Sequence, residues 1–212
     1  MFLLLAFSDF QYFINALLIV LFSVCFHEFC HAYVAYLNGD NTAKNQGYFT
    51  INPLIQMGTN SIITFLLIGI CWGSCPVNRL NFKHNYSDSL VSAAGPFGNL
   101  LLVFIFLILN LTLNISGIHN NFLNNLSDFF YLATLYNIGL FIFNLLPIPP
   151  LDGFNILSNA IPILKNEEKK VSLLGTILLI IIVFLTPTMK IFWDKIELIY
   201  NYLYNFLNNF IG

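Results

Sequence analysis

Long apolar runs separated by polar connections set out the chain. The first run, about Phe10 to Leu37, is long enough at ~1.5 Å per residue to cross a bilayer, and Asn38-Gly39-Asp40 stops it. Residues 40–58 are polar with a short two-residue alternation, which predicts a β-hairpin or a re-entrant piece of chain. Ser61 to Trp72 is apolar but falls short of the ~20 residues a spanning helix needs, so it reads as re-entrant. Residues 73–88 form a polar connection. Two further runs, about Ser89 to Leu113 and Phe129 to Leu146, predict spanning helices, joined by the asparagine-rich loop 114–128. Pro147, Pro149 and Pro150 then break the chain. A last run, about Val171 to Leu185, predicts an extra membrane helix, and about 189–211 an amphipathic helix at the interface. The pattern gives an all-α polytopic membrane protein. A three-helix core occupies about 10–160, the extra helix about 171–186, and 1–212 is one integral membrane domain.

Composition supports the same picture. The chain is 58% hydrophobic and 8% charged, against about 25% charged in a soluble domain. A net charge of −2 suggests no nucleic-acid partner. The first residues lack a basic region and a small-residue cleavage site, so they read as mature sequence. Cys25, Cys30, Cys71 and Cys75 do not form a secreted disulfide pattern. Cys71 and Cys75, beside Trp72, read as small apolar fillers before metal ligands. The basic residues Lys44, Arg79, Lys83, Lys165, Lys169 and Lys170 lie in three connections, while 114–128 has none. Positive loops favour the cytoplasm, which predicts a multi-pass protein of the cell membrane with those three connections inside. Lys190 and Lys195 then fall outside, against the count.

Inside the first run stands His27-Glu28-Phe29-Cys30-His31. Residues four apart on a helix share a face, so His27 and His31 can address one metal ion, with Glu28 beside it. This is the H-E-x-x-H spacing of a zinc hydrolase, with the glutamate as general base. Three ionisable groups within a span each cost roughly 2.5–3.5 kcal/mol unless paired or bound. A hydrogen-bonded polar cluster between helices would account for the same residues.

Asp152 supplies a third ligand candidate. It follows the prolines and precedes Gly153, and the orientation above brings it to the level of the histidines. Two histidines and a carboxylate leave a fourth position on zinc for water, whose proton Glu28 would take. A turn aspartate before glycine is the bland alternative. Asn144 could donate to a carbonyl or oxyanion, or simply bridge helices. Asn99 reads as structural, and His84 and His119 as solvated.

Four pieces resemble the site-2 protease family of intramembrane zinc metalloproteases. They are Phe26-His27-Glu28-Phe29-Cys30-His31-Ala32; Gly39-Asp40-Asn41-Thr42-Ala43-Lys44 with Thr50-Ile51-Asn52-Pro53-Leu54; Ala94-Gly95-Pro96 with Asn99; and Asn144 through Gly153. The pattern is similar to the small bacterial and archaeal members without PDZ or CBS domains. The resemblance implies one zinc per chain on His27, His31 and Asp152, with Glu28 as base and Asn144 near the reacting carbonyl. It also implies cleavage of a transmembrane protein substrate; the distribution of basic residues puts the site towards the cytoplasmic side, and a homo-oligomer is a candidate assembly. The stretch 40–58 would pair with an unwound substrate strand. The chain departs from related members at Trp72-Gly73-Ser74-Cys75-Pro76, which lacks a lysine, and after Asp152-Gly153, where Phe154-Asn155 stands in place of arginine. A catalytically degenerate zinc protein that binds partner helices, and a metal transporter, are the other readings.

Overall fold

The computed structural model describes residues 2–211 except 116, 118, 119, 162, 163, 165–167 and 186, without the side chains of 168–172, 180, 183–185 and 211. His119 and residues 165–167 of the charged connection at 165–170 therefore lie outside the described residues. The main helices are α1 (Phe10–Leu37), α2 (Gly58–Ile68), α3 (Ser87–Ile115), α4 (Asn121–Asn144), α5 (Asp152–Ala160), α6 (Glu168–Leu185) and α7 (Thr188–Ile211).

Three of these, α1, α3 and α4, are long and apolar enough to cross a membrane. At ~1.5 Å per residue each exceeds the ~30 Å hydrocarbon core. Local signals fix their ends. The Asp9 carboxylate accepts from Tyr12 N at 2.9 Å at the start of α1, and Asn120 accepts from Leu123 N at 2.8 Å at the start of α4. Gly39, at φ 104°, turns the chain after α1. Large apolar side chains such as Leu101, Phe104, Ile105 and Ile108 remain exposed along α3, as lipid contact requires and water would penalise.

The helices α3 and α4 form a hairpin, with α1 packed on α3. Two apolar clusters flank this core. One unites Val103, Leu107 and Leu111 of α3 with Ile138 of α4 and with Ile196 and Tyr200 of α7. The other unites Val20, Val24 and Cys25 of α1 with Met57 and Phe65, which seats α2 against the middle of α1.

The structure corrects the expected hairpin at 40–58. No strand occurs among the described residues; this stretch holds two helical turns, Thr42–Asn45 and Pro53–Gln56. Asn52 and Pro53 explain the second: the asparagine accepts from Leu54 N at 3.0 Å and proline occupies the first helical position. A stretch without helix or strand lies later, at 70–78, after α2. The polar loop at 114–128 is also shorter than expected, because 121–128 belong to α4. The tail helix α7 is amphipathic and lays its inner face on α4 and α3.

Candidate metal centre

One face of α1 carries His27, Glu28 and His31, all buried. It meets α3 where the sequence is small. A Cβ on Gly95 would run into the Nε2 atoms of both histidines, and one on Gly98 would come within 2.6 Å of Cys30 Sγ. Glycine here permits the close helix approach and leaves room in front of the imidazoles. Asp152 arrives from the other side, at the first position of α5. The turn between α4 and α5 folds back tightly: a Cβ on Gly153 would strike the carbonyls of Leu145 and Leu146. Glycine after the aspartate is thus a steric requirement of the turn that delivers it.

The two Nε2 atoms lie 3.0 Å apart, and Asp152 Oδ2 stands 3.0 Å from that of His27 and 3.3 Å from that of His31. The opposite ring nitrogens settle their tautomers. His31 Nδ1 is 2.6 Å from the Val91 carbonyl, which can only accept, so Nδ1 carries the proton. His27 Nδ1 is 2.7 Å from Asn99 Oδ1, again an acceptor. Both Nε2 lone pairs therefore converge with a carboxylate oxygen on one point. One proton there would serve one imidazole at a time; a divalent cation serves all three donors at once. Two imidazoles and a carboxylate are a zinc donor set with a position left open, each histidine being held from behind by a hydrogen-bond acceptor. The residues fit the metal.

These groups open on a cavity of about 900 Å³ that Glu28, Phe143, Asn144, Leu151 and Asn155 also line. No hydrogen bond from another described residue reaches the Glu28 carboxylate, and a Cβ on Gly73 would overlap it. The irregular segment 70–78 thus passes against the glutamate at Gly73. Three contacts hold that segment. The Ser61 hydroxyl bonds both N–H (2.8 Å) and carbonyl (2.6 Å) of Trp72, Ser74 N donates to Gln56 O at 3.0 Å, and Asn78 N donates to Asp40 Oδ2 at 2.7 Å. Asp40 is fully buried and accepts also from Thr42 N, Thr42 Oγ1 and Asn81 Nδ2. Burial opposes its charge, and these donors prevail, so its carboxyl lies below the usual range. Burial pushes the thiols of Cys71 and Cys75 up to about 12, which suits neutral fillers better than thiolate ligands.

Asn144 lines the cavity, with Nδ2 donating to Leu140 O at 3.0 Å; its second N–H is available. His84 is exposed and stacked on Tyr86, away from the site. Sequence reasoning missed the parts of Asn99, Gly73 and Asp40. Only the closeness of Gly95 and Asn99 to one another along α3 hinted at a shared face.

Comparisons with known proteins bear on this arrangement. A family model described as peptidase family M50 matches residues 110–186, a stretch that contains Asp152. A Bacillus subtilis protein named "Putative zinc metalloprotease YwhC" is 43% identical over 149 residues, covering 68% of this chain and 67% of its own length. The chain belongs to peptidase family M50. Two Rip2 proteins with the same description resemble it more distantly. That of Mycolicibacterium smegmatis is 30% identical over 184 residues, covering 80% of this chain and 66% of its own. That of Mycobacterium tuberculosis H37Rv is 31% identical over 180 residues, with the same coverage. This M50 peptidase spans about two thirds of the length of these relatives. No solved structure matches it. Membership makes the chain a metalloprotease of the site-2 type and zinc its metal.

Proposed function

We propose that this M50 peptidase hydrolyses a peptide bond of a transmembrane protein within the bilayer. The observation that carries the reading is the convergence of His27, His31 and Asp152 between membrane-crossing helices, with Glu28 facing the same cavity. His27 Nε2, His31 Nε2 and Asp152 Oδ2 would hold the metal. Zinc, when bound, supplies a Lewis acid that polarises the scissile carbonyl and acidifies water. Glu28 takes the proton of the attacking water and returns it to the leaving nitrogen. Its unpaired carboxylate, one residue from His27, supports that role. The free N–H of Asn144 is available for the scissile carbonyl oxygen. A helical substrate must unwind first, since its carbonyls are otherwise engaged. The apolar wall formed by Leu140, Phe143 and Leu151 suits a membrane segment as the occupant. The end of the bundle that bears the site also bears Lys44, Arg79 and Lys83, which favours the cytoplasmic side.

The experiment is to compare wild type with Glu28→Gln on a membrane-protein substrate in detergent. The variant is expected to retain zinc and lose cleavage by ~10²-fold or more, the weight of general acid–base catalysis. Equal cleavage by both proteins would remove Glu28 from the mechanism. A wild type unable to hold zinc would remove the proposed ligand set.

A further inference from the structure

The geometry points to Asn137 as a positioning residue for the metal site, acting on His27 through Asn99. The inference rests on the ligand set proposed above. Ser23, Asn99 and Asn137 come from α1, α3 and α4, and none has any exposed surface. They form a chain with a direction. Asn137 Nδ2 is 2.8 Å from the Ala133 carbonyl and 2.9 Å from Ser23 Oγ. A carbonyl only accepts, so the nitrogen end of Asn137 is fixed there and its oxygen must face Asn99.

That oxygen lies 3.0 Å from Asn99 Nδ2. Asn99 Nδ2 is also 3.3 Å from the Ser23 carbonyl. With its nitrogen end committed to two acceptors, Asn99 presents only its oxygen to His27 Nδ1, at 2.7 Å. The proton of His27 then sits on Nδ1 and the bare Nε2 faces Asp152. Were Asn99 to rotate, its NH2 would confront Nδ1, move the imidazole proton to Nε2 and spoil the ligand. Asn137 bars that rotation from the next helix.

His31 needs no such device, because the Val91 backbone carbonyl fixes it directly. A purely packing role would not require buried amides, whose burial costs free energy unless every group is paired. It would also leave the tautomer indifferent to residue 137.

The test uses the full chain in detergent, stripped of metal and titrated with zinc against a chromophoric chelator. Asn99→Leu and Asn137→Leu are each expected to weaken zinc binding by about 10- to 100-fold, as loss of a ligand's hydrogen-bond partner does. The double variant is expected to be little worse than either, because both act through one contact. Asn99→Asp, which still accepts from Nδ1, is expected to hold zinc within a few-fold of wild type. Wild-type affinity in a folded Asn137→Leu would overturn the proposal. Unchanged affinity in His27→Ala would instead overturn the ligand set beneath it. Should Asn137→Leu not fold, the ring-nitrogen NMR signals of His27 in the metal-free wild type at alkaline pH decide: a proton on Nδ1 is expected, and one on Nε2 overturns the proposal.

Discussion

Two amide networks cross the same pair of helices, and they serve different ends. Near the metal centre, Asn99 and Asn137 are fully buried and their chain ends on an imidazole. At the far end of the bundle, Asn110 of α3 donates to Ser127 O and Oγ of α4 and accepts from Tyr200 of α7. Asn114 extends that network to Tyr204. Both networks bridge helices, as polar groups in membrane bundles commonly do. Only the first hands a fixed orientation to a group with chemistry. Polarity inside a span therefore does not by itself mark function; where the chain of bonds terminates does.

Substitutions can break or sharpen this contrast. The largest effect is expected at Gly95. A methyl there would occupy the space before both Nε2 atoms, so Gly95→Ala should abolish stoichiometric zinc binding, measured by metal analysis, as completely as His31→Ala. At the far end, Tyr200→Phe removes one hydroxyl from Asn110 and should lower stability by ~1 kcal/mol. Zinc affinity should be unchanged, as read by melting with and without metal; a joint loss would erase the distinction between the networks.

Between these two in size stands Asp40→Asn, which weakens an acceptor of four hydrogen bonds and should cost ~1–3 kcal/mol. Its consequence should concentrate in segment 73–83, detectable by hydrogen exchange. The same clamp predicts a pH dependence. The folded Asp40 carboxyl lies below its ordinary value, so its contribution is complete above the ordinary carboxylate range and is lost as pH falls through the folded value. Asp40→Asn should flatten that acid limb. The smallest effect is expected for Cys75→Ala, with zinc stoichiometry unchanged by metal analysis, since that thiol stays neutral.

Much of the site was legible because α1 is a simple helix. Spacing of four on an apolar run placed His27 and His31 together, and the proline cluster marked a break just before Asp152, though not the helix α5 that starts there. The limits of α1, Phe10–Leu37, follow from the apolar run and the Asn38-Gly39 stop. The error at 40–58 arose because a two-residue alternation persisted over a few residues only, where Asn52-Pro53 capping decided for helix. Residues 121–128 look polar in one dimension, but an Asn120 cap and packing against α3 make them helical. Beyond its sharing a helix face with Gly95, the role of Asn99 was not legible. Its partners His27 and Asn137 are distant in sequence, and no periodicity connects three helices. Gly73 was equally silent, because what it avoids is a side chain of another element.

His27 and His31 belong to the first membrane helix, whereas Asp152 belongs to a turn far along the chain. A divalent ion held by all three would rivet the bundle shut at that end. Ligand linkage gives the scale: about 4 kcal/mol at a thousand-fold excess over the dissociation constant. Scarcity of the ion should therefore shorten the lifetime of the folded protein as well as silence it, and chelator-treated samples should melt earlier and yield first to proteolysis around the Pro147–Asp152 elbow.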